Sequence, residues 1–156
     1  MRYWLMKSEP SAYSIEDLAR DARTSWDGVR NYQVRNFMRD EMEVGDPVLF
    51  YHSNMTPPAV VGLARVCRSA YPDHTAWDPD DIHYDPRSTP EKPLWMMVDI
   101  EFVERFPHPV SLPRLRQVPE LEDMLVLRKG VRLSVQPVEE YHFLIVEQLG
   151  RTGEGK

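Results

Sequence analysis

Residues 94–106, LWMMVDIEFVERF, constrain the fold more than any other stretch of this chain. Met96, Val98, Ile100 and Phe102 fall on one side of a period-two alternation, and Met97, Asp99, Glu101 and Val103 on the other. A helix would scatter these residues around its circumference, so the segment predicts a strand with an apolar face that a core must cover. RYWLMK predicts a first strand that ends at KSEP, because Pro10 cannot continue a ladder. VGDPVLFYHS reads as a Gly-Asp turn feeding a strand, AVVGLARVCRSAY as its partner, and the proline-rich NMTPP between them as a loop. VRLSVQP predicts a last strand with Arg132, Ser134 and Gln136 on a polar face.

Helical periodicity is confined to short pieces. SIEDLARDA offers Ser14 as N-cap and a stripe of Ile15, Leu18, Ala19 and Ala22. A second helix over about 31–42 would bury Val34, Phe37, Met38 and Met42 and leave Asn31, Arg35 and Arg39 as a separate row facing water or a ligand. VSLPRLRQVPELEDMLVL suggests one or two helical turns. The last helix, about 138–149, is expected to pack through Val138, Tyr141, Ile145 and Leu149 and to stop at Gly150. Several strands without regular βαβ alternation, and no strand–glycine loop–helix unit, argue against a dinucleotide fold and favour an α+β class, a small twisted sheet or barrel with peripheral helices. The expected organisation is a single domain over 1–150, followed by a flexible tail over 151–156.

The net charge of −6 at first argues against nucleic acid, but its distribution changes that inference. Residues 71–101 hold eight acids against Arg87 and Lys92, and the rest of the chain balances at 17 against 17. A local basic face is therefore compatible with the sequence, and a broad polyanion-binding surface is not. The prolines at 72, 79, 86, 90 and 93 make 71–93 a long irregular excursion of the kind that is functional or mobile. No run approaches the roughly 18 apolar residues of a membrane span, no signal peptide is legible, and a lone Cys67 excludes an internal disulfide; an intracellular location follows as the expectation.

Catalytic constellations are missing. Cys67 lies in an apolar strand, no G-x-S-x-G elbow surrounds any serine, the spacing of His74, His83 and the nearby aspartates fits no metal-ligand motif, and the seven glycines build no phosphate cradle. No metal and no cofactor is expected. A different set draws attention: Trp26 just before a turn, Asn31 at a helix start beside Arg30 and Arg35, Tyr51, His52 and Ser53 at a strand end, Ser8 closing the first strand, and Ser134 and Gln136 on the last. These residues either pack and cap, or form one aromatic–polar pocket.

In order along the chain, YWLMKSEPSAYSIEDL, WDGVRNYQVRNFMR, GDPVLFYHSN, VGLARV, AYPDHTAWDP, YDPRS, PVSLPRLR and LRKGVRLSVQPV resemble the EVE-domain family. The resemblance runs from Tyr3 to about Leu149 and implies a PUA-like fold, distant kinship with YTH domains, and a non-catalytic reader of modified bases in DNA or RNA. It further implies a cage wall at Trp26 and a rim at Lys7, Ser8, Glu9 and Pro10. Val29, Arg30 and Asn31 would lie beside the base, with Tyr51, His52 and Ser53 opposite. Gln136 would complete a polar side, and Trp77 would be a lid. Arg35 and Arg39 are expected to contact flanking phosphates. Family members of eukaryotes carry a basic N-terminal extension; this sequence begins on its first strand, which favours a bacterial cytoplasm. Alternatives left open are an enzyme using His52 or Glu9 on a modified base, a small-molecule sensor using the same pocket, and a protein-interaction module built on the acidic segment 71–101.

Overall fold

The alternating segment at 96–103 begins a 16-residue strand that forms the spine of an α+β, PUA-like architecture. The computed structural model describes residues 1–154. In chain order the elements are β1 (Tyr3–Ser8), α1 (Ile15–Asp21), β2 (Arg23–Ser25), α2 (Tyr32–Asp40), β3 (Pro47–His52), β4 (Ala59–Pro72), β5 (Met96–Ser111), α3 (Leu112–Arg116), β6 (Val135–Val138) and α4 (Glu140–Thr152). Single 3-10 turns lie at His74–Trp77, Pro119–Leu121 and Leu125–Leu127.

The sheet runs β2-β5-β4-β3-β1-β6, with β1 and β3 parallel and every other pair antiparallel. Register shifts interrupt the β4–β5 ladder at four places, and each local irregularity adds bend and twist. The sheet therefore curls until residues from both ends meet in one core: Val98 and Ile100 of β5 lie in the same cluster as Val135 of β6. Among the described residues no ladder joins β2 to β6, which leaves a seam where the barrel does not close.

Period-two alternation divides the interior into two clusters. Trp4, Met6, Val48 and Phe50 point to the one covered by α1 and α2, while Leu5, Leu49 and Tyr51 point to the one covered by α3 and α4. In α1, Ser14 and Asp17 form a reciprocal capping box, and only Ile15 and Leu18 are buried; Ala19 and Ala22 face solvent. The stripe of α2 follows its periodicity, with Val34, Met38 and Met42 buried and Phe37 packed against them.

Three sequence expectations require correction. The last strand is four residues long, and Gln136 is buried because it pairs with Leu5 and so shares the face of the second cluster. The last helix buries His142, Phe143, Val146 and Leu149; Val138, Ile145 and Leu149 pack as expected, but Tyr141 is exposed. It continues through Gly150 to a cap at Gly153 (φ 78°). A Cβ on Gly150 would lie 2.2 Å from the Phe106 ring, so this glycine permits close helix–strand contact and does not end the helix. Residues 155 and 156 of the expected tail lie outside the described residues. No described helix is long and apolar enough to cross a membrane.

Candidate nucleic-acid interface

A cleft of about 770 Å³ opens at the seam, lined by the end of β1, by β2, by the turn 26–31, by His83 and by Ser134. The turn is held from both sides. The Trp26 amide donates to the Val98 carbonyl at 2.7 Å, and the Asn31 side chain accepts from the Val34 amide at 3.0 Å, capping α2. The Trp26 indole is half-buried, meeting Phe50 edge-on at 5.9 Å, while it also borders the cleft.

Between these anchors lies a buried carboxylate. Asp73 is fully enclosed and accepts from the Gly28 amide (2.8 Å), the Thr75 amide (2.9 Å), the Thr75 hydroxyl (2.6 Å) and Arg30 Nη1 (3.1 Å). Burial pushes its carboxyl upward, but the hydrogen bonds from Thr75, Gly28 and Arg30 outweigh that and hold it below the ordinary range. Arg30 directs its donors to the His83 carbonyl (3.0 and 2.7 Å), the Val29 carbonyl (2.7 Å), Asp73 and Thr75, and its guanidinium stands 5.6 Å from the Trp95 ring. All five N–H groups thus have an acceptor inside the protein. Gly28 has φ 78°, and a Cβ there would lie 2.6 Å from the His83 imidazole, so only glycine lets the 73–95 segment close over the turn. Two further acids of that segment serve the fold while Asp78, Asp80 and Glu91 stay exposed: Asp81 accepts from the His83 amide, and Asp85 from the Arg87 amide and the Trp95 indole.

Of the residues expected at the site, Lys7, Ser8, Glu9, Trp26, Val29, Arg30, Asn31 and Ser134 come together on this cleft. Pro10, Tyr51, His52, Ser53, Trp77 and Gln136 do not line it. Tyr51 belongs to the second core cluster, on the face away from Trp26. His52 is buried, its Nε2 accepts from the Ile15 amide at 3.0 Å, and burial lowers its pKa. The Ser53 amide donates to the Ser8 carbonyl at 2.9 Å, which ties β3 to the rim from behind. Trp77 ends the 3-10 turn at His74–Trp77, half-buried. Gln136 donates to the Leu133 carbonyl at 2.9 Å and borders a different cleft, also about 770 Å³, beside Tyr141 and His142. Arg35 is drawn to the Leu94 carbonyl (3.2 Å) and stacks 4.9 Å over Tyr32, while Arg39 pairs with Asp40 at 2.8 Å; neither lines the cleft.

Sequence reasoning missed Ala12, Tyr13, Thr24, Ser25, Asp27, Gly28 and His83. The Asp-Gly pair signals only a turn, and no local pattern couples Gly28 to residues 45 or more positions away. At the cleft, Ser8 Oγ donates to the Tyr13 carbonyl (2.5 Å) and Glu9 accepts from Asn54 (2.8 Å). Among the described residues, the side chains of Lys7, Ser25, Asp27 and Ser134 make no hydrogen bond within the chain. Burial lowers the Lys7 pKa. Desolvation in the recess, reinforced by Asp73, raises Asp27 above the ordinary carboxyl range, with His83 opposing. An aromatic wall faced by unengaged donors and acceptors suits a flat polar ligand.

The sequence profile described as the EVE domain matches residues 2–149. Thymocyte nuclear protein 1 of Rattus norvegicus is 42% identical over 92% of this chain and 72% of its own length. A hypothetical protein from Leishmania major has a solved structure that superposes with a TM-score of 0.91 at 47% identity, covering 96% of this chain and 94% of that one. The human THYN1 protein, solved in complex with 5-methylcytosine-containing DNA, superposes with a TM-score of 0.88 at 40% identity, covering 96% of this chain and 98% of that one. By sequence and by fold, the chain belongs to the EVE-domain family.

Proposed function

We propose that this protein binds DNA by holding a modified base, turned out of its stack, in the cleft at the seam of the barrel, and that it performs no chemistry on that base. The observation that carries the reading is Trp26, a half-buried indole on the wall of a cleft whose Ser25, Asp27 and Ser134 side chains are left unengaged. The human relative bound to 5-methylcytosine-containing DNA supports the same ligand class here. Stacking on the indole contributes about 1–3 kcal/mol whatever the base, and a C5 methyl adds only about 0.8 kcal/mol by burial, so preference for the methylated base over its parent is about fourfold. Extrusion from a duplex costs a few kcal/mol, which favours single-stranded or mismatched targets. Arg35 and Arg39 supply the flanking phosphate contacts; Arg39 can exchange its exposed pair with Asp40 at little cost. Two such contacts give a shallow salt slope of about −1.8 on duplex DNA.

The two candidate general bases favour binding over reaction. His52 lies off the cleft with Nε2 committed to Ile15, and Glu9 is engaged by Asn54. The test is Trp26→Leu with fluorescein-labelled strands carrying one 5-methylcytosine, with RNA of the same sequence as a parallel arm. Affinity for DNA should fall about tenfold or more. Because Trp26 packs on Phe50, thermal melts accompany the titration. Unchanged affinity in the folded variant would remove Trp26 from the site, and tighter binding of the RNA would reassign the nucleic acid.

A further inference from the structure

The cleft's polar groups separate into those the fold already uses and those it leaves free, and the free ones define the base edge that fits. Arg30 has no donor left, the Asn31 carbonyl caps α2, and Glu9 is held by Asn54. Asp27 differs: it follows Trp26 directly, lines the cleft, and forms no hydrogen bond or ion pair among the described residues. Lys7 is not a partner for the base, because its ammonium lies 6.0 Å over the Tyr51 ring, on the face away from Trp26. A free carboxylate together with the unengaged Ser25 and Ser134 hydroxyls and the Asn31 amide N–H groups suits a cytosine edge, which offers an N4 amine to donate and O2 and N3 to accept. Thymine would set its O4 against the carboxylate, two acceptors facing one another.

We propose that Asp27 accepts a hydrogen bond from the exocyclic amine of the base stacked on Trp26, restricting the site among pyrimidines to cytosine and its C5-substituted forms. This assignment rests on the base-binding reading above. The charged groups facing Asp27 are Asp73 and Asp81, which favour its protonated form, and His83 and His74, which oppose it. Only the ionised carboxylate discriminates, since a protonated carboxyl can donate to O4 of thymine and so accommodate either base. Preference for cytosine therefore weakens as the pH falls through the raised pKa of Asp27.

The experiment compares two single strands identical except for one position, 5-methylcytosine in one and thymine in the other. These bases share the methyl group and differ at position 4 and N3. Wild-type protein should prefer 5-methylcytosine by about tenfold. Asp27→Ala should bring the two within about twofold, and so should Asp27→Asn, whose amide can present either a donor or an acceptor. The wild-type ratio should shrink as the pH is lowered through the raised Asp27 value, whereas a general electrostatic effect of acid would change both affinities together. Equal wild-type affinities, or an undiminished ratio in Asp27→Ala, would overturn the assignment while leaving the base cleft standing if Trp26→Leu still weakens binding. Binding indifferent to both substitutions would remove the base cleft itself.

Discussion

Asp73→Ala tests whether the recognition turn is held in place by a buried carboxylate. The side chain is fully enclosed and accepts from Gly28, Thr75 and Arg30, so its removal leaves two amides, a hydroxyl and part of a guanidinium without a partner. Breaking a buried ion pair costs about 3–5 kcal/mol. Arg30 keeps 22% of its side chain in contact with water, which places the expected loss at the lower end, about 3 kcal/mol. With a urea slope of about 2 kcal/mol per molar, the unfolding midpoint should fall by about 1.5 M at pH 7. The folded-state pKa of Asp73 is depressed. Its contribution is therefore fully present above the unfolded value of about 3.9 and lost as the pH falls through the folded value, so the wild-type and variant midpoints should converge in acid. Arg30→Ala should produce a comparable loss without changing the dependence of DNA affinity on salt, because its donors serve the fold. A midpoint within about 0.3 M of wild type at pH 7, a difference that does not narrow in acid, or a salt slope reduced by about one in Arg30→Ala would refute the reasoning.

His52 is buried as the neutral acceptor of the Ile15 amide, with a lowered pKa. The unfolded chain binds a proton near pH 6.5 before the folded one does, so stability should decline with falling pH just below that value. Urea titrations at pH 7.5, 6.5 and 5.5 should show the decline in wild type and a flatter profile in His52→Gln. Gly150→Ala gains about 1 kcal/mol of helix propensity but drives a methyl into Phe106, an overpacking that costs about 1–3 kcal/mol or more. A lower thermal midpoint, partly restored by Phe106→Leu, is the expected result.

The sequence revealed the parts of this fold that are governed by neighbours along the chain. Alternation exposed β5, and serine and asparagine marked the starts of α1 and α2. The EVE resemblance brought Lys7, Trp26 and Asn31 into one hypothesis, and the seam of the barrel brings them onto one cleft. What stayed hidden depends on partners distant in sequence. Arg30 looks like a ligand contact until Asp73, His83 and Thr75 are seen around it. Gly150 looks like a helix stop until Phe106 is found against its Cα. Gln136 looks like a polar strand residue until its pairing with Leu5 turns it to the other face.

The most direct test of the base-binding account is a crystal structure of this protein with a short duplex bearing one 5-methylcytosine opposite a mismatched base. The account predicts the methylated base out of the helix, stacked on Trp26, with its N4 amine at hydrogen-bonding distance from Asp27. A base still within the duplex, or one seated in the cleft beside Tyr141 and His142, would contradict it.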